Sequence, residues 1–205
     1  RDLFERLLHM VITRQTSFLP LARKYFTLPF LLDVLKRLIG SGLIGGKARG
    51  ILLAQLILKG TNPRWSTILE SHDSFFIGSD VFYTFVIQND CWWLRRKKGS
   101  MEEILANARI ARERILRGTF LDYIVLQFRE MLEYFGQAPI IVRSSSIQED
   151  SYGNAFSGKY ESVFCANQGN LDERLSAFLD AVRQVYASSL SEDALLYRLH
   201  HGLLH

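Results

Sequence analysis

Pro139-Ile140-Ile141-Val142-Arg143-Ser144-Ser145-Ser146 leads through a polar loop to Gly158 and on to Tyr160-Glu161-Ser162-Val163-Phe164-Cys165, and this segment organises the rest of the chain. Three β-branched residues directly after a proline predict a buried strand with Arg143 at its exit. Alternation of Tyr160, Ser162 and Phe164 with Glu161, Val163 and Cys165 predicts a second strand, so two strands flank a serine-rich loop containing Gly153 and Gly158. A guanidinium at a strand end, followed by the hydroxyls of Ser144 and Ser145, sets a forked cation beside several donors and suits a chain of phosphates. The same residues also suit a structural ion pair from Arg143 to Glu149 or Asp150, with the serines capping turns. These residues alone leave the choice open.

Helices surround this β segment. Asn170 and Glu173 form a capping box ahead of Leu171, Leu175, Phe178, Leu179, Val182, Val185 and Tyr186, which recur on a helical period, and a last helix follows Ser191. Upstream, Ser100 and Glu103 box another helix start, and Gly136 is placed to end a helix carrying Ile124, Phe128, Met131 and Leu132. Phe75-Phe76-Ile77 reads as a short strand, with Ser79 capping the helix after it. Leu3 to Val11 recur as one helix, and Thr27 with Pro29 opens a second that runs through Leu38 and Ile39. The expected class is therefore α+β, rich in helices with a small sheet.

Between these early helices and the rest lies Gly40-Ser41-Gly42-Leu43-Ile44-Gly45-Gly46-Lys47. A Walker A loop needs a glycine where Ser41 stands, a Ser or Thr where Ala48 stands, and a strand in front, so that motif is rejected. Gly45 and Gly46 before a helix still leave backbone amides to face an anion, and Lys47 adds a point charge. Residues 48–58 are apolar nearly all round and predict a buried helix.

The totals exclude several classes. Hydrophobic residues make up 48% of 205, enough for a real core rather than a disordered chain. A net charge of +4 is a mild basic excess, and the run Arg95-Arg96-Lys97-Lys98 is too short and isolated to predict nucleic-acid binding. Two cysteines with no clustered histidines encode neither a disulfide framework nor a zinc site, which fits a reducing, cytoplasmic setting. Apolar runs stop well short of the ~18 residues that a membrane span requires. Ser144 to Ser146 lack the glycine elbow of a serine hydrolase. The chain opens at Arg1 without a methionine, and the expectation is a piece of a longer protein.

Taken in order, several segments resemble the nucleotide-binding region of the phosphoenolpyruvate synthase and pyruvate phosphate dikinase family. Ile44-Gly45-Gly46-Lys47-Ala48 is similar to its glycine–lysine loop, and Ser74-Phe75-Phe76-Ile77 to the short segment that follows. Val142-Arg143-Ser144-Ser145, Glu149-Asp150 and Phe156-Ser157-Gly158 resemble its Arg-Ser-Ser, Glu-Asp, Phe-Ala-Gly pattern, with Ser157 in place of alanine. Val185-Tyr186-Ala187-Ser188-Ser189, continuing to Tyr197-Arg198, resembles the helical signature that comes next. The resemblance implies the first lobe of an ATP-grasp domain over residues 44–205, preceded by a helical extension over residues 1–43.

It further implies that Lys47 and Arg143 hold ATP phosphates and carry the catalytic charge. Gly45, Gly46, Ser144 and Ser145 then line the nucleotide, and Gly158 lies over it. Its implied cofactors are ATP and Mg²⁺, with the metal-holding residues downstream of this chain. In the whole enzyme the implied partners are a phosphohistidine carrier domain and a pyruvate/phosphoenolpyruvate domain, with no nucleic acid and no membrane. This stretch alone is expected to be inactive. A nucleotide-sensing or scaffolding module, and a dikinase acting on a glucan or an antibiotic, remain alternatives.

Overall fold

The computed structural model describes residues 2–70, 73–95, 100–146, 158 and 160–201, and the chain divides into two compact units. The first takes Arg1–Val81 and Ser145–Gly153; the second takes Phe82–Ser144 and Asn154–His205. The fold is α+β, with helices dominating two small sheets.

In the first unit, α1 (Asp2–Leu7) passes into a π-helical turn at Leu8–Ile12, followed by α2 (Leu19–Tyr25) and α3 (Leu28–Leu35). The expected single helix to Val11 thus loses its regular pitch at Leu8. Thr27 caps α3 as expected, accepting the Phe30 N–H at 3.4 Å, with Pro29 in the first turn. The helix stops at Leu35 rather than continuing through Ile39, because Leu38–Ile39 forms β1, paired in parallel with β2 (Phe76–Ile77). The Phe76 N–H donates to Arg37 O at 2.8 Å and the Gly78 N–H to Ile39 O at 2.9 Å. Those bonds come from residues far along the chain, which helical spacing cannot register.

Next come α4 (Gly46–Thr61) and α5 (Arg64–Ile68). Contrary to its reading as a buried helix, α4 buries only Gly46, Arg49 and Leu53, and Ile51 is exposed. Leu8, Val11, Ile12, Ala22 and Leu31 share one core with Ile44 and Leu53. The element α6 (Ser79–Gln88) begins in this unit.

The second unit holds a 3₁₀ turn at Trp92–Arg95, α7 (Met101–Arg117), α8 (Asp122–Phe135), β3 (Ile140–Arg143), β4 (Ser162–Cys165), α9 (Leu171–Ser188) and α10 (Glu192–His200). Both capping boxes form: Ser100 Oγ accepts from Glu103 N at 3.3 Å, and Asn170 Oδ1 accepts from Glu173 N at 3.0 Å. Gly136 ends α8 at φ +56, the left-handed backbone that favours glycine. α9 packs against α7, α8 and both strands. Phe85, Phe120, Phe128, Phe178 and Tyr186 build the core beside it, with ring centroids 4.4 Å apart for Phe85–Phe120 and 5.1 Å for Phe128–Phe178.

The β3–β4 pair is antiparallel, with Ile141 opposite Phe164 and Arg143 opposite Ser162. It is narrower than the sequence reading, since β4 begins at Ser162 rather than Tyr160. Nor is β3 buried on both faces: Val142 is covered while Ile141 is 42% exposed. A two-stranded ribbon packed on one helix has only one face to bury.

Candidate functional site

The glycine loop of the first unit is held residue by residue. The Asp80 carboxylate accepts from Ser41 N at 2.9 Å, Ser41 Oγ at 3.1 Å and Gly42 N at 2.7 Å. Ser79, expected to cap α6, instead accepts the Leu43 N–H on its hydroxyl at 3.2 Å, while its own N–H donates to Leu43 O at 2.9 Å. The Ile44 N–H donates to Val11 O at 2.8 Å. Ser145 then closes the start of α4: its carbonyl accepts from Gly46 N at 2.9 Å and its hydroxyl from Ala48 N at 3.0 Å. An N-cap side chain usually sits next to its helix, whereas this one comes from 97 positions away.

Gly45 is required by this closure. A Cβ there would lie 1.5 Å from the Ser145 carbonyl oxygen, although the backbone φ of −79° suits any residue. The loop amides that the glycine pattern offers to an anion are thus donated largely to Asp80, Ser79, Val11 and Ser145. What the loop supplies is a fixed platform for Lys47, a half-buried residue in the first turn of α4, where the partial positive end of the helix adds to its charge.

Arg49, close behind on the same helix, escaped the sequence reading. It is 8% exposed, donates to Thr13 Oγ1 at 3.2 Å and Gln15 Oε1 at 2.8 Å, and lies 4.9 Å from the centre of the Phe18 ring. It anchors α4 to the segment after the π-helical turn. No local pattern marks an arginine inside an apolar run as buried, because its partners lie more than thirty positions away.

In the second unit Arg143 ends β3 on its exposed face, cross-strand from Ser162. Ser144 follows it, partly buried. Gly158 is exposed at φ +80, and a Cβ added there would meet nothing within 4 Å, so backbone conformation alone favours glycine. Glu149, Asp150, Phe156 and Ser157, and the run Arg96 to Lys98, lie outside the described residues.

Arg198, part of the helical signature, is a structural residue. It donates to Ala194 O at 3.2 Å and to Ser189 O, and burial lowers its pKa, partly offset by Tyr160. Burial likewise raises the thiols of Cys91 and Cys165 above their usual range. Among the described residues no group of three or more His, Cys, Asp or Glu is placed to hold a metal ion, and no helix is long and apolar enough to cross a membrane.

Comparison with protein families matches residues 41–205 to the pyruvate phosphate dikinase AMP/ATP-binding domain. Neither the curated proteins nor the solved structures gave a match. The matched range contains both the glycine–lysine loop and the segment around Arg143.

Proposed function

The chain belongs to the pyruvate phosphate dikinase AMP/ATP-binding domain family, and from that premise we propose that it is the ATP-holding first lobe of an ATP-grasp phosphotransferase. Lys47 and Arg143 each supply a positive charge to the ATP phosphates. Ser144, Ser145 and the Gly45-Gly46 turn line the nucleotide, and Gly158 covers it. Phosphoryl transfer asks little covalent chemistry of the protein; positioning and charge stabilisation do most of the work. Two cations and a helix N-terminus offset the charge that accumulates on the phosphates.

One observation carries this reading: Ser145, two residues beyond Arg143 in sequence, is bonded twice into the start of the helix that bears Lys47. The nucleotide is taken as its magnesium complex, the metal being held by the phosphates and by residues beyond this chain. In the full-length protein the phosphoryl group passes to a histidine on a carrier domain and onward to a pyruvate-type acceptor.

Isothermal titration of Mg·ATP into the chain tests the assignment. Lys47→Ala and Arg143→Ala should each weaken binding about tenfold or more, since a hydrogen bond to a charged group contributes roughly 1.5–3 kcal/mol. Unchanged affinity in both variants would remove these residues from the nucleotide site.

A further inference from the structure

Among the described residues, the β3–β4 ribbon packs one face on α9, and its other face is exposed at Ile141 and Phe164. On the packed face, Val142 and Cys165 are each 8% exposed; on the outer face, Phe164 is 80% exposed and its cross-strand partner Ile141 is 42% exposed. A ribbon with one solvated face normally alternates to polar residues there. Here two large apolar side chains stand directly opposite one another, so they form a single patch rather than scattered exceptions. Arg143 and Ser162, the next pair along the same face, are also exposed. Arg143 is therefore the diagonal neighbour of Phe164, a separation of roughly 7–8 Å or less that long side chains can span.

An apolar aromatic surface bordered by one guanidinium and one hydroxyl matches a molecule with a flat ring at one end and an anion at the other. We infer that this face is the base platform of the nucleotide site: Phe164 and Ile141 carry the purine, Ser162 faces the ribose, and Arg143 takes the phosphates. The inference rests on the ATP reading above and extends it from the phosphates to the base. A nucleotide uses both the aromatic surface and the cation beside it. Stacking engages the face of any purine, so the platform separates nucleotides from bare polyphosphate without distinguishing adenine from guanine.

The test is isothermal titration of the chain, Phe164→Ala and Arg143→Ala with two probes, Mg·ATP and magnesium tripolyphosphate. Phe164→Ala should weaken ATP by about 5- to 100-fold and leave tripolyphosphate unchanged, while Arg143→Ala should weaken both. Because Phe164 is so exposed, its truncation opens no cavity, and an unchanged urea midpoint confirms an intact fold. If Arg143→Ala weakens both probes and Phe164→Ala alters neither, or alters both equally, the base platform is overturned while the phosphate assignment stands. If neither variant alters either probe, the nucleotide reading of Arg143 falls and takes the platform with it.

Discussion

Replacing Gly45 and Gly50 by alanine, one at a time, separates a packing requirement from a helix preference within a few residues. At Gly45 the new Cβ would sit 1.5 Å from the Ser145 oxygen, 2.4 Å from its carbonyl carbon and 2.5 Å from its Cβ. Real Cβ contacts essentially never fall below 3.0 Å, so Ser145 and the start of α4 must separate by about the missing 1.5 Å. That displacement breaks the 2.9 Å bond to the Gly46 amide and the 3.0 Å bond to the Ala48 amide. At about 1 kcal/mol net per bond, and more for the buried Gly46 N–H left without a partner, the cost is roughly 2–4 kcal/mol. Gly50, by contrast, lies inside α4 with nothing within 4 Å of its would-be Cβ. Alanine there should stabilise by about 0.5–1 kcal/mol through helix propensity. Urea unfolding gives the two signs, and amide exchange at Gly46 and Ala48 locates the effect, rising in Gly45→Ala and not in Gly50→Ala. A Gly45→Ala chain as stable as the parent, with unchanged exchange at those amides, would rule out the Ser145 closure.

Asp80→Asn should lower stability by about 1–3 kcal/mol in urea, because an amide keeps one acceptor oxygen and turns its N–H groups toward either the Ser41 donors or the Gly42 donor. Asn170→Ala should cost about 1 kcal/mol by the same measurement, through loss of the α9 capping box. Burial raises both thiols, so the unfolded chain releases those protons first. Their contribution is fully present below the ordinary thiol value of 9.0 and is lost as pH rises beyond it. Urea midpoints measured from about pH 7 to about pH 10 should fall at the alkaline end, and a Cys91→Ala, Cys165→Ala double variant should show a flatter decline.

What the sequence made legible was local. Ser100 with Glu103 and Asn170 with Glu173 each satisfy helix-end amides three residues away, and both boxes form. Gly136 marks the end of α8 for the same reason, since a positive φ is a property of one residue. Leu38–Ile39 reads as helix because its apolar spacing fits one, while its strand partner lies at Phe76–Ile77. Hydrogen bonds from Gly46 and Ala48 to Ser145, and from the glycine loop to Asp80, are equally out of reach, being set by tertiary contacts. The glycines themselves are visible. Their purpose is not: Gly45 makes room for a protein carbonyl, and Gly42 for the backbone and carboxylate of Asp80. The outer face of β3–β4 is hidden too, because apolar residues at Ile141 and Phe164 read as core until the ribbon is seen to pack on one side only.

If Lys47 and Arg143 both hold ATP phosphates, affinity must depend on phosphate number through both of them. Titration of AMP, ADP and Mg·ATP should give a steep rise in affinity with each phosphate in the parent chain. Both Lys47→Ala and Arg143→Ala should flatten it, narrowing the ATP-to-AMP ratio by about tenfold or more. A ratio that either variant leaves at the parent value would remove that residue from the phosphate site.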